Sequence, residues 1–68
     1  MDLTKKVAKN VEARRKKLGI SVEKLSRNAD ISLSALNKLR SGNSAYIRVD
    51  TLYALANALG VTMDELAR

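Results

Sequence analysis

Residues 21–40 place two helix starts close together, which leaves few ways for this segment to fold. Ser21 and Ser32 each stand where a helix N-cap is expected, because a serine hydroxyl can accept a hydrogen bond from the first unpaired N–H groups of a helix. Hydrophobic residues flank both serines at the spacing of a hydrophobic staple: Ile20 with Leu25, and Ile31 with Leu36. The segment therefore predicts two capped helices with a fixed angle of entry into each.

The connection between these two helices is the tripeptide Asn28-Ala29-Asp30. Aspartate is one of the few residues other than glycine that tolerates the left-handed conformation, so Asp30 can end the first helix and turn the chain. Two capped helices with so short a connection predict a helix-turn-helix motif.

Helical periodicity also dominates the rest of the chain, and no stretch alternates like a strand. The predicted helices are about Thr4–Leu18, Val22–Asn28, Leu33–Arg40, one that begins after Asp50 as its cap, and a short one that opens at Thr62 with a capping box. The predicted core residues are Val7, Ala8, Val11, Leu18, Leu25, Ala29, Ala35, Leu36, Leu39, Leu52, Leu55, Ala56 and Leu59. The pattern predicts one all-α domain over residues 1–68.

Composition excludes most catalytic and membrane functions. The chain has 68 residues without cysteine or histidine, which removes thiolate metal sites, the commonest general base and the commonest metal ligand. No pair of acidic residues falls on one predicted concave surface, so we expect neither an enzyme nor a bound cofactor or metal. No apolar run approaches the roughly 20 residues that span a bilayer, and no signal peptide is recognisable. We expect a soluble, cytoplasmic protein.

The net charge of +6 is unevenly placed. Residues 1–48 carry 12 Lys and Arg against four acidic residues, whereas residues 49–68 carry one Arg against three acidic residues. Uneven basic charge on a small domain indicates a polyanionic partner such as nucleic acid, although a lysine-rich solvated surface gives the same count.

From Arg15 to Leu66 the chain resembles the phage repressor and Cro-type helix-turn-helix family of DNA-binding proteins, also called the xenobiotic response element family. The matching residues are Arg15-Lys16-Lys17-Leu18-Gly19-Ile20-Ser21, Leu25-Ser26, Ala29-Asp30-Ile31-Ser32, Leu36, Leu39, Ser41-Gly42-Asn43, Asp50-Thr51-Leu52 and Leu55-Ala56-Asn57-Ala58-Leu59-Gly60-Val61. The resemblance implies a compact, five-helix, lambda-repressor-like domain with its helix-turn-helix at helices two and three.

The chain departs from the family pattern at four positions. Val22 stands where these proteins often carry a glutamine that fixes a DNA phosphate, and Asp30 replaces the usual turn glycine. Ser26 replaces a common alanine. Arg40 stands where many members have a glutamate that pairs with the arginine corresponding to Arg15. In this chain both positions carry a positive charge, so either the pair is absent or the two side chains diverge.

The resemblance also implies which residues contact DNA. In this family the second helix of the motif enters the major groove, which is about 12 Å wide, by its N-terminal end. The base-contacting candidates are accordingly Ser32, Leu33, Ser34, Asn37 and Lys38. The backbone-contacting candidates are Lys24, Arg27, Asn43, Ser44 and Arg48. Asn37 can pair with adenine, Lys38 can donate to guanine, and Leu33 can touch a thymine methyl, whereas a solvated surface explains the same residues without DNA.

So small a module reads few base pairs, and we therefore expect a homodimer on a pseudo-palindromic site with half-sites about 34 Å apart. By resemblance the dimer contact lies near helix five and the loops flanking helix four. Its apolar candidates are Ile47, Met63 and Leu66. Tyr46 and Tyr53 are further candidates, or else pack at the edge of the core with a wet hydroxyl.

Three functions remain open at this point. The first is sequence-specific binding of double-stranded DNA by a transcriptional regulator, expected to be a repressor. The second is a protein-interaction module of the same fold, such as the antitoxin of a toxin-antitoxin pair. It is favoured by Leu33 on the presumed DNA face and by Val22 in place of a phosphate-fixing residue. The third is a basic amphipathic helix for anionic membranes, which rests on helix one alone and conflicts with that helix's place in the core.

Overall fold

The computed structural model describes residues 3–42 and 46–68, which form five α-helices and no strand. The helices are α1 (Leu3–Leu18), α2 (Val22–Ala29), α3 (Leu33–Arg40), α4 (Val49–Leu59) and α5 (Met63–Ala67). This confirms the predicted all-α class and the order of the five helices. Among the described residues, no helix combines the length and apolar character needed to cross a membrane.

All five helices contribute to one aliphatic core, whose buried members among the described residues are leucine, valine and alanine. Its buried members are Val7, Ala8, Val11, Leu25, Ala29, Leu36, Leu39, Leu55, Ala56, Leu59 and Leu66. Helix α1 packs against α3, α4 and α5, α2 packs against α3 and α4, and α4 also packs against α5. Every helix is therefore held by at least two others, which compensates for helices too short to be stable alone.

Two core predictions were wrong, and a third holds only in part. Leu18 is 45% exposed, because it lies in the last turn of α1, at the edge of the core. Ala35 is also exposed, at the rim of a groove beside α3. Leu52 is only half-buried and packs against the outside of the core.

The caps of residues 21–40 form as predicted. The hydroxyls of Ser21 and Ser32 accept hydrogen bonds of 3.0 Å from the N–H groups of Lys24 and Ala35. Asp30 has φ 55° and ψ 45°, and its N–H donates to the carbonyl of Arg27. Of the residues in the two predicted staples, Leu25 and Leu36 are fully buried, while Ile20 and Ile31 are half-buried and pack against the core.

The predicted cap of α4 was wrong by two residues, whereas that of α5 is confirmed. Helix α4 begins at Val49, and the residue before it caps the helix without a side-chain hydrogen bond. Asp50 instead lies in the first turn, where a carboxylate interacts favourably with the N-terminal end of the helix dipole. At α5, Thr62 and Glu65 exchange the two hydrogen bonds of a capping box, and the bonds from Thr62 hold the pKa of Glu65 below its ordinary value.

Polar side chains of α1 hydrogen-bond to the C-terminal ends of two other helices. Asn10 Nδ2 donates to the carbonyl of Leu66 at 2.8 Å, and Arg14 Nε donates to the carbonyl of Leu59 at 3.2 Å. These carbonyls belong to the last turns of α5 and α4, where no N–H group within the helix remains to pair with them. Helix α1 therefore holds α4 and α5 through hydrogen bonds as well as through apolar packing.

Asp30 offers a direct test of the turn. Asp30→Val should lower the free energy of unfolding by roughly 1–2 kcal/mol, because a β-branched residue is disfavoured in the left-handed conformation. Asp30→Gly should stay within about 1 kcal/mol of the wild type, since glycine adopts this conformation without strain. Urea unfolding of the three proteins measures both differences, and equal losses for the two variants would contradict this account of the turn.

Candidate nucleic-acid interface

The candidate base-contacting residues lie together on the outer side of α3. Leu33, Ser34, Asn37 and Lys38 are all exposed, while the core covers the opposite side of the helix. Their spacing of one, four and five positions places them on one helical face. Ser32 precedes them, and its hydroxyl oxygen already accepts a hydrogen bond as the cap of α3. The helix therefore presents one apolar residue near its tip, followed by polar and basic side chains.

Exposed basic residues lie on the neighbouring elements. Lys24 and Arg27 are exposed on α2, the helix that precedes α3 in the motif. Arg48 stands just before α4 and pairs with Asp50 at 3.0 Å, with both side chains about 70% exposed. An ion pair so open to water contributes little, which leaves the Arg48 guanidinium available to another anion. The other two backbone-contacting candidates, Asn43 and Ser44, lie outside the described residues.

The carboxylate of Glu12 lies between Arg15 and Arg40, the two like charges for which the sequence showed no partner. Arg15 approaches it with Nε and Nη2, each at 3.0 Å. Arg40 approaches it from α3, with Nε at 2.6 Å and Nη2 at 3.4 Å. Both arginines therefore remain close together, because a shared carboxylate on α1 takes the place of the glutamate that the family often carries at the end of α3.

Both arginines stabilise the charged form of Glu12. Hydrogen bonds from Arg15 and Arg40 lower the pKa of Glu12 from 4.5 to about 2, and those from Arg15 have the larger effect. The same contact raises the pKa of Arg15. Arg15 Nη1 also donates to the carbonyl of Ile20 at 2.8 Å, just before the cap of α2. The cluster thus connects α1, the entry to α2 and the end of α3.

Sequence reasoning did not assign Glu12 any role. Glu12 and Arg15 lie three residues apart on one helix, a spacing from which their ion pair could have been predicted. The contact with Arg40 spans 28 positions and has no local signature. Arg40 Nη1 also donates to Asn37 Oδ1 at 2.9 Å, so the cluster reaches a candidate base-contacting residue.

The three residues predicted for a dimer contact occupy different environments. Ile47 and Met63 are half-buried and pack against the outside of the core. Leu66 is 2% exposed, which places its side chain inside the single chain and leaves it no surface to offer a second copy. More exposed apolar surface comes from Tyr46, Val49 and Tyr53, of which Val49 was not singled out from sequence.

A groove of about 300 Å³ separates α3 from the residues that lead into α4. Its lining residues are Ala35, Lys38, Leu39, Tyr46, Ile47, Arg48 and Thr51. Lys38 and Arg48 place positive charge at its borders, and both are also candidates for DNA contact. The groove is therefore continuous with the exposed face of α3.

A protein-family model described as helix-turn-helix matches residues 11–66, which is most of the chain. The chain belongs to the phage repressor and Cro-type helix-turn-helix family. This family is one of DNA-binding domains and is generally non-enzymatic. No curated protein and no solved structure gives a significant match to the chain.

The Glu12 cluster makes a prediction about stability. Glu12→Gln should lower the free energy of unfolding at pH 7 by about 1–3 kcal/mol, because it removes the counter-charge of two adjacent guanidinium groups. The exposed pair of Asp64 with Arg68 supplies a control. Asp64→Asn should unfold close to the wild type, since exposed ion pairs contribute little. Chemical denaturation measures both variants, and equal effects would contradict a special role for Glu12.

The same carboxylate should also make stability depend on acid. Because the folded-state pKa of Glu12 is depressed, its contribution is present above its unfolded value of 4.5 and is lost as the pH falls toward about 2. The difference in unfolding free energy between the wild type and Glu12→Gln should therefore shrink over this interval. Denaturation at pH 7, 4.5, 3 and 2 measures it, and a difference that stays constant would overturn the prediction.

Proposed function

We propose that this protein is a sequence-specific regulator of transcription, acting as a repressor, that binds double-stranded DNA as a homodimer. The observation that carries the proposal is the exposed face of α3, where Leu33, Ser34, Asn37 and Lys38 lie together at the second helix of a helix-turn-helix. A helix presented in this way fits the major groove, and membership of a DNA-binding family supports that use of it.

The side chains on this face divide by what they can recognise. Lys38 can donate to O6 or N7 of guanine, and Asn37 can hydrogen-bond a base edge. Leu33, 41% exposed near the N-terminal end of α3, offers only apolar contact and suits a thymine methyl. Ser34 can act as donor or acceptor. These four, with Ser32 at the start of the helix, are the proposed base contacts.

Phosphate contacts would come from the basic residues on either side of α3. Lys24 and Arg27 lie on α2, and Arg48 precedes α4, so cations are present on both flanks of the proposed groove-facing helix. Asn43 and Ser44, which lie outside the described residues, remain proposed contacts. Such contacts hold the protein in register on the duplex without specifying its sequence.

A dimer would give this small domain enough base pairs to recognise. We propose that its contact uses the half-buried Ile47 and Met63 together with the exposed apolar residues beside them. The inward position of Leu66 removes that residue from the proposed contact. Two copies related by a twofold axis would present their α3 helices to half-sites one helical turn apart, about 34 Å.

Selection from a pool of random double-stranded DNA tests the proposal directly. We expect enrichment of a pseudo-palindrome whose half-site centres lie about 10 base pairs apart. A pool that yields no preferred sequence at low salt would overturn sequence-specific binding. A single half-site bound with no gain from a second would overturn the dimer while leaving DNA binding in place.

Lys38 and Arg48 should respond differently to substitution. Lys38→Ala should cost about 1–3 kcal/mol on the preferred site and relax specificity at one base pair, because it removes a base contact. Arg48→Ala should weaken preferred and scrambled sites alike and reduce the slope of log affinity against log salt by about 0.9, because it removes one phosphate contact. Titrations on both DNAs from 50 to 200 mM salt separate the two effects.

The exposed Leu33 also favours a second candidate function, a protein-interaction module such as an antitoxin. An apolar side chain at the tip of the proposed recognition helix can bind a hydrophobic partner as well as a thymine methyl. The two functions are not exclusive, because an antitoxin can also bind its own operator. Stoichiometric co-purification with a protein partner, together with salt-independent and weak DNA affinity, would favour the second function.

A further inference from the structure

Among the contacts of the described residues, Asn37 is the proposed base-contacting residue whose side chain hydrogen-bonds to another side chain, that of Arg40. Arg40 Nη1 donates to Asn37 Oδ1 at 2.9 Å, from one helical turn further along α3. A guanidinium group has only donors, so the amide of Asn37 must turn its oxygen toward Arg40. The amino group of Asn37, with two N–H donors, is then directed away from Arg40.

The orientation of Arg40 is itself determined by Glu12. Nε and Nη2 of Arg40 both donate to the Glu12 carboxylate, which leaves Nη1 to reach Asn37. The side chains of Arg40 and Glu12 are only 30% and 20% exposed, so this contact is more sheltered than an ordinary surface ion pair. Arg15 holds the same carboxylate from α1. The planar guanidinium of Arg40 therefore has one position that satisfies both of its partners.

This arrangement changes what Asn37 can recognise. The usual pairing of asparagine with adenine needs its oxygen to accept from adenine N6 while its nitrogen donates to adenine N7. Arg40 occupies one of the two lone pairs of the Asn37 oxygen, whereas both N–H groups of the amide remain unused, so most of its remaining hydrogen-bonding capacity is that of a donor. In the major groove guanine presents two neighbouring acceptors, N7 and O6, whereas adenine presents an acceptor beside a donor. An Asn37 whose unused groups are mainly donors is matched best by guanine.

We propose that Glu12 and Arg40 act as positioning residues that hold Asn37 as a hydrogen-bond donor, so that the base it reads is guanine rather than adenine. The inference rests on the proposed function, since it assumes that α3 lies in the major groove. It changes the expectation drawn from sequence, in which Asn37 pairs with adenine.

Base preference, measured one position at a time, tests this proposal. Sites selected by the wild type are compared with those selected by Asn37→Ala, and the position that loses its preference identifies the base read by Asn37. At that position the wild type should prefer guanine to adenine by about five- to 150-fold, the range of a good two-bond base contact.

Arg40→Met is the decisive variant, because it keeps the length of the stem but removes every donor. Asn37 is then free to turn its oxygen toward DNA, so the guanine preference should fall to less than a fifth or give way to adenine at this position alone. Arg27→Met is the matched control, an exposed arginine on α2. It should lower affinity for all sites and leave base preference unchanged.

Folding of each variant is verified by circular dichroism and thermal unfolding. If Arg40→Met is unfolded at the assay temperature, Arg40→Lys replaces it. A lysine ammonium can still pair with Glu12 but lacks the planar fork that reaches Glu12 and Asn37 together. The same loss of guanine preference is expected from Arg40→Lys.

The outcomes separate this inference from the proposed function. A wild type that selects no sequence overturns both. A wild type that selects a sequence but prefers adenine at the Asn37 position overturns the inference alone, as does an Asn37→Ala variant that changes no position. A guanine preference that persists in the folded Arg40 variant also overturns it, because the preference would then not depend on the position of Arg40.

Discussion

The contact on which the proposed DNA surface depends is the carboxylate of Glu12 held between Arg15 and Arg40. It joins the middle of α1 to the end of α3, while Arg15 also holds the carbonyl that precedes the cap of α2. Helix α3 has only eight residues and cannot keep its direction by itself. The cluster, together with the buried leucines of α3, fixes how that helix is displayed.

Helix α1 has the same organising role for the rest of the domain. Asn10 and Arg14 pair with carbonyls in the last turns of α5 and α4, while Val7 and Val11 fill the core between them. In a chain of this size the aliphatic core is small, so polar contacts that satisfy helix ends without added length matter more. One long helix thereby orients four shorter ones.

Much of the fold could be predicted from sequence because its signals are local. Ser21, Ser32 and Thr62 cap the helices assigned to them, and Asp30 adopts the left-handed conformation expected of it. Each of these features depends on residues within a few positions of one another. The errors at Leu18 and Ala35 share another cause: helical periodicity assigns a residue to a face but does not say where the neighbouring helices end.

The exposed face of α3 was predictable from sequence, but the hydrogen bonds that orient its side chains were not. The sequence by itself determined the five helices, the helix-turn-helix and the exposed face with Leu33, Asn37 and Lys38, because caps, staples and periodicity act over short distances. Only the tertiary structure decided that Glu12 sits between two arginines and that Arg40 turns the amide of Asn37. These contacts require the packing of α1 against α3, because Glu12 and Arg40 are 28 positions apart and meet only in the folded chain.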